Sequence, residues 1–375
     1  MTTSSAPPAP LTAGDQVPFY TSRLWEAVRA GDEYAAGTGV RDALTDGVPP
    51  ETLLLDVIGG VQRRVGAEWA ANRLSVAQEH AATAINERVI ALLAQHPDVP
   101  PVPPARGRIT VACVDGEWHA LPARLLAEVL RLRGWRVDYL GAQVPAPHLI
   151  AHLHLTNPDL VALSSSLVTR LPAAHATITA CQATGVPVLV GGAAFGSDGR
   201  HARQLGADAW APDARQAAER LQRPLTRRKA DHQAIDDLPH LADQEYTLVA
   251  RGSRQLVREV LAGLETRFPA LLDYDDVQRD HTAQDVAHLV EFLTAALYTD
   301  DTELFSGFLV WTADVLRARA VPPESLLPAL DLLERALRDF PRAVGLITRS
   351  RQALSRALRA SGPPAARQLD PGQPA

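Results

Sequence analysis

The sequence predicts a multidomain chain of α and α/β type. Three observations predict it. Apolar residues recur at helical spacing over residues 19–97, short β-rich runs alternate with amphipathic stretches over 107–221, and helical spacing returns over 246–360. A chain of 375 residues has room for two or three domains at roughly 100–200 residues each. Apolar residues make up 46%, enough for well-filled cores, and the net charge of −6 gives no electrostatic case for broad binding to nucleic acid or acidic membranes.

Residues 1–18 are rich in Ser, Pro and Ala and are expected to form a disordered tail. They lack the basic start and apolar stretch of a signal peptide. No apolar run approaches the roughly 20 residues of a membrane span, so a soluble, cytoplasmic protein is expected. The segments LWEAVRAGDEYAAGTGVRDALTDG, ETLLLDVIGGVQRRVGAEWAANRL and SVAQEHAATAINERVIALLAQH space apolar residues by three and four. They predict a four-helix-type bundle over 19–97, with Ser75 as the N-cap of the last helix. The stretch DVPPVPPARG carries four prolines and reads as a stiff linker, 98–106.

The texture then changes. RITVACV, WRVDYL, PDLVALS, VPVLVGG and ADAWAP read as strands separated by helical stretches, which predicts a parallel sheet covered on both faces. Five strands in 107–221 fit a flavodoxin-like (Rossmann-like) domain. Cys113 and Cys181 fall inside such elements and are expected to be inert buried thiols, with no disulfide framework. Residues 222–245 are charged and poorly periodic, a second linker. Residues 246–360 predict five or six helices, and 361–375 a loose tail.

In doubly wound sheets ligands bind beyond the carboxyl ends of the strands. The first strand ends in VDGEWHALP, which places Glu117, Trp118 and His119 in a loop and Pro122 in the first turn of a helix. The third strand ends at Ser164–Ser165–Ser166 and the fourth at Gly191–Gly192, small residues that let a bulky group approach the backbone. A histidine two residues after a carboxylate suits a metal ligand, because the carboxylate can hold the far ring nitrogen and fix the tautomer. Such a pair also arises by chance in loops. His148 and His152 share a helix face but have no evident third ligand, and GGAAFG lacks the spacing of a dinucleotide loop.

The loop histidine, the Ser after strand three and the Gly-Gly after strand four together resemble the cobalamin-binding domain. That resemblance implies His119 as lower axial cobalt ligand, Glu117 at the position usually held by aspartate, and Pro122 at the position usually held by glycine. It places Ser164, Ser166, Gly191 and Gly192 at the slot for the displaced nucleotide tail, with Trp118 beside the ligand. In the bundle, Trp69 is followed after nine residues by Glu79–His80, which resembles the Trp-x₉-Glu-His signature of CarH-type photoreceptors. This implies an upper face of Trp69, Glu79 and His80 around an adenosyl group, with His80 a candidate cobalt ligand after photolysis.

The C-terminal helical domain gives an order and size similar to the photocobilins, in which a cobalamin module is joined to a globin-like domain that binds biliverdin. The resemblance implies a non-covalent bilin, since residues 246–360 contain no cysteine. His281, His288, Tyr274, Trp311 and Arg319 are the candidate bilin residues, with Tyr298, Arg317, Arg335 and Arg338 as further stacking or propionate partners. Haem bound through His281 or His288 remains open. The expected function is a photosensory, non-enzymatic protein whose signal is light-driven cleavage of the Co–C bond of adenosylcobalamin. Its expected partners are small-molecule tetrapyrroles and a downstream signalling protein, with light-dependent homo-oligomerisation and neither nucleic acid nor membrane. The alternatives are a corrinoid methyl carrier serving a partner methyltransferase, and a cofactor-free scaffold.

Overall fold

The computed structural model describes residues 13–99, 103, 105–223, 225, 238–267 and 275–360. Contacts divide the chain into two compact units, Met1–Ala242 and Asp243–Ala375. The helical cap and the sheet domain, expected as separate domains, fall in one unit. A single apolar core explains this, running from Leu24, Leu54 and Val57 of the cap into Leu125 and Leu130 of the sheet domain.

The cap begins with α1 (Ala13–Ala30) and α2 (Glu33–Thr45), so the expected tail 1–18 is shorter by the first turns of α1. Gly31 adopts φ +72 between them, and the Asp32 carboxylate accepts from the Ala35 amide at 2.9 Å to start α2. A continuous helical run follows: α3 (Pro50–Thr52), a π-helical turn (Leu53–Ile58) and α4 (Gly59–Ala70). Helix α5 (Val76–Ala94) opens with a capping box. Ser75 Oγ accepts from the Gln78 amide at 3.2 Å while Gln78 Oε1 accepts from the Ser75 amide at 2.8 Å. Each fully buried Leu or Ile on these helices contributes about 1.5–3 kcal/mol.

The sheet domain runs β1 (Arg108–Cys113), α6 (Leu121–Leu132), β2 (Arg136–Gly141), α7 (Ala146–Thr156), β3 (Leu160–Ser164), α8 (Leu171–Ala183), β4 (Val188–Gly191), α9 (Arg200–Gln204), β5 (Ala209–Ala211) and α10 (Ala214–Arg220). The strand order is β2-β1-β3-β4-β5 and all pairs are parallel. The order reverses between β1 and β3, which makes their carboxyl ends the switch point. Register aligns Cys113 with Ser164, Ser164 with Gly191 and Gly191 with Ala211, so four strands end level. Helices α6 and α10 pack together, as do α7 and α8. Both cysteines are buried, and burial pushes the Cys181 thiol up to about 12. Arg133 holds Glu51 through Nε at 2.8 Å and Nη2 at 2.9 Å, and Arg215 holds Asp56 at 2.8 Å, joining α6 and α10 to the cap.

The second unit contains α11 (Glu245–Arg267), α12 (Asp276–Thr299), α13 (Thr302–Ala318), α14 (Leu326–Ala336) and α15 (Pro341–Ala360). Val260, Leu293, Phe305, Leu309, Leu330 and Leu346 fill its core. The buried Glu245 carboxylate accepts from the Arg342 and Ala343 amides at 3.0 and 2.8 Å, a charge placed at the start of α15. No described helix is long and apolar enough to cross a membrane.

Candidate functional site

The loop after β1 is built around one buried carboxylate. Gly116, at φ +75, turns the chain beside the Arg170 guanidinium, which a Cβ there would approach to 3.2 Å. Glu117 is then fully buried. Its Oε1 meets His119 Nδ1 at 2.6 Å and the His119 amide at 2.9 Å. Its Oε2 accepts from the amides of Ser166 and Leu167 at 2.6 and 2.9 Å and from the Ser165 hydroxyl at 3.3 Å. Burial alone would raise this carboxyl. The hydrogen bonds from the His119 ring and the amides of His119, Leu167 and Ser166 outweigh it and pull the pKa down to about 2. The ionised Glu117 therefore ties the β1 and β3 loops together and fixes the ring. With Nδ1 engaged, Nε2 is the nitrogen left for a metal, on a side chain that is 49% exposed.

Glu117 thus spans both loops. Gly192 supplies the tight approach on the β4 side. At φ +102, a Cβ there would meet the Ser165 carbonyl oxygen, and a Cβ on Gly191 would lie 3.1 Å from the Ala211 oxygen. Between cap and sheet domain lies a cavity of about 520 Å³, with Leu55, Gly59 and Gln62 on one side and Leu121, Pro122 and Ala214 on the other. On the cap, Trp69 is half-buried at the end of α4, while Glu79 and His80 occupy the first turn of α5. His80 Nδ1 lies 2.8 Å from Glu79 Oε2 and 2.9 Å from the Val76 oxygen. The Glu117 hydrogen bond raises the His119 pKa against its burial, and the charge of Glu79 adds to the rise, so Glu79 lies within electrostatic reach of His119.

Two family models described as B12 binding domain match this chain, one over residues 21–94 and the other over 107–222. These residues form a cobalamin-binding module. The chain is 34% identical over 162 residues to the HTH-type transcriptional repressor CarH of Myxococcus xanthus, covering 41% of this chain and 52% of that protein. It is 34% identical over 178 residues to the repressor CarA of the same organism, covering 45% and 57%. A dimethylamine corrinoid protein of Methanosarcina mazei is 28% identical over 123 residues, covering 32% and 72%. The chain spans about half the length of the two repressors it matches.

The module's residues fit a cobalamin at the loop histidine, which has one ring nitrogen fixed by Glu117 and the other available on a half-exposed side chain. Trp118 is 59% exposed, its ring edge-on to His119 at 5.9 Å. Ser164 is buried as the last residue of β3, and Ser166 contributes its amide to Glu117. The serine in contact with both Gly192 and Glu117 is Ser165, which the sequence places at the strand end while the resemblance assigns Ser164 and Ser166 to the slot. Three consecutive serines give no sequence basis for choosing among them, and backbone amides such as that of Leu167 leave no signature at all. Among the described residues, no group of three or more His, Cys, Asp or Glu side chains could hold a metal; His152 instead faces Asp138 at 3.3 Å.

In the second unit, His281 and His288 lie on α12 on either side of Asp285. Burial raises the Asp285 carboxyl, opposed by the charges of His288, His281 and Arg319. Trp311 is 46% exposed and leans on Phe308, which stacks on Phe292 at 3.7 Å. The Thr312 hydroxyl nearby in sequence is buried without a hydrogen-bond partner. Tyr298 is buried against Tyr246 at 4.8 Å and so belongs to the core, contrary to a stacking role. Arg317 pairs with Asp314 at 2.5 Å, and Arg338 lies 3.7 Å from Asp339. Arg335 is exposed on α14. Tyr274 lies outside the described residues.

Proposed function

We propose that this chain is a photosensory cobalamin protein, with adenosylcobalamin between the cap and the carboxyl ends of β1, β3 and β4. One observation carries the reading: the 2.6 Å contact from Glu117 to His119 Nδ1, which leaves Nε2 for cobalt. Glu117 holds the ring tautomer and anchors it to the β3 loop, so the lower ligand is rigid. Trp69, Glu79 and His80 shelter the upper face, and Gly191 and Gly192 let the Ser165 and Ala211 backbone close in at the strand ends where the nucleotide tail would descend. When bound, adenosylcobalamin supplies a Co–C bond that light cleaves. The Arg133–Glu51 and Arg215–Asp56 pairs would hold the cap against the sheet domain in the dark state, and His80 would be the cap's candidate cobalt ligand after photolysis.

The second unit, read as globin-like, would hold biliverdin non-covalently. Trp311, Phe308 and His288 supply stacking and a polar group, and Arg319 a propionate partner. The protein acts on no substrate in this reading; its output is a change of assembly passed to a signalling partner. The test is the visible spectrum of the chain purified with adenosylcobalamin and biliverdin, before and after illumination. No light-induced change in the cobalamin bands sinks the photosensory reading. A His119→Ala chain with unchanged cobalamin affinity and spectrum removes the axial ligand.

The similarity to a dimethylamine corrinoid protein favours a second reading, a corrinoid methyl carrier. A chain that binds methylcobalamin in preference to adenosylcobalamin, and whose spectrum light does not alter beyond that of free cofactor, would select it.

A further inference from the structure

A chain of hydrogen bonds runs through the cap in one direction. Asn86 Nδ2 donates to Gln62 Oε1 at 2.7 Å, Gln62 Nε2 donates to Thr83 Oγ1 at 2.8 Å, and the Thr83 hydroxyl donates to Glu79 Oε1 at 2.9 Å. Glu79 Oε2 is engaged by His80 Nδ1. The direction is forced from the Glu79 end. The Thr83 hydroxyl gives its single proton to the Glu79 carboxyl oxygen, so Thr83 must accept from the amide nitrogen of Gln62. Gln62 then turns its oxygen toward Asn86, which answers with its own nitrogen.

This direction accounts for a costly feature. Asn86 is fully buried, and its Oδ1 has no hydrogen-bond partner. A buried orphan acceptor persists where another group dictates the orientation. Reversing the Asn86 amide would set two oxygens against each other, and reversing Gln62 would leave Thr83 with no donor. The chain crosses from α5 to α4 through Gln62, and Gln62 lines the cavity beneath the cap.

We propose that Thr83, Gln62 and Asn86 are positioning residues that lock the Glu79 carboxylate toward the upper face, making the cap select an upper ligand with hydroxyl or amine donors over a methyl group. This rests on the cobalamin reading above and adds what sets its choice of upper ligand. The 5′-deoxyadenosyl group carries such donors and methyl carries none. A carboxylate held by two partners loses little rotamer freedom when such a ligand arrives, so its hydrogen bond counts nearly in full.

The test is titration of the full chain in the dark with adenosylcobalamin and with methylcobalamin. Thr83→Val keeps the shape and removes the hydroxyl, and Thr83→Ser keeps the hydroxyl. The unaltered chain is expected to prefer adenosylcobalamin. Thr83→Val is expected to lower that preference by about five- to tenfold, the worth of one ordinary hydrogen bond, through adenosylcobalamin alone. Thr83→Ser is expected to restore it. An unchanged ratio in Thr83→Val, an equal loss for both corrinoids, or a Thr83→Ser chain that stays at the Val ratio overturns the proposal while leaving the cofactor in place. An unaltered chain that binds neither corrinoid overturns the cofactor reading and this proposal with it.

Discussion

Glu117 does three jobs with four oxygen lone-pair directions, and its neighbours are all donors. Replacing it with Gln turns an NH₂ group toward the Ser166 and Leu167 amides, or toward the His119 ring. Glu117→Gln is expected to cost about 2 kcal/mol of stability in urea unfolding of the cofactor-free chain, and to weaken cobalamin binding as well. A variant with unchanged unfolding would mean that the amides do not depend on this charge. Gly192 is a different case, because its role is to lack an atom. Gly192→Ala combines a backbone at φ +102 with a Cβ against the Ser165 carbonyl, and a loss of about 1–3 kcal/mol is expected by the same measurement. Gly192 could be picked out from sequence as a small residue at a strand end. Its partner could not, because the contact is made to backbone.

Helix α5 carries Glu79 in its first turn and His80 directly after it, so a fixed N-terminus fixes both. The Ser75–Gln78 capping box does this by satisfying two amides that the helix itself leaves unpaired. Ser75→Ala is expected to cost about 1 kcal/mol and Ser75→Gly a few tenths, measured by urea unfolding monitored by circular dichroism. Equal losses for the two would show that the side-chain oxygen is not what matters. The cap signal was legible, since Ser75 precedes a helical apolar pattern. The π-helical turn Leu53–Ile58 was not, because its apolar spacing matches an ordinary α-helix and only the backbone bonding separates them.

Across the whole molecule, cap and sheet domain share one core while residues beyond Ala242 form a second unit. Separately produced fragments 1–242 and 243–375 are expected each to unfold in a single cooperative transition, and the first to bind cobalamin as tightly as the full chain. A first fragment with much weaker affinity would place part of the cobalamin site in the second unit. The prolines of 98–106 suggested a domain boundary after the cap. The two family models lie on either side of that stretch, and the apolar core nonetheless runs from the cap helices into α6.

The sequence by itself determined the strand–helix alternation, the small residues at the strand ends and the identity of the loop histidine, because periodicity and turn residues are local properties of the chain. It also determined that a carboxylate stands two residues before that histidine. Only the tertiary structure decided that this carboxylate is buried, that Ser165 rather than Ser164 meets it, and that Glu79 is held through Thr83 and Gln62 by Asn86. Apart from the Glu79–Thr83 bond within α5, those contacts join separate elements, some through backbone amides and others through side chains whose pairing is set by packing. A linear pattern records neither.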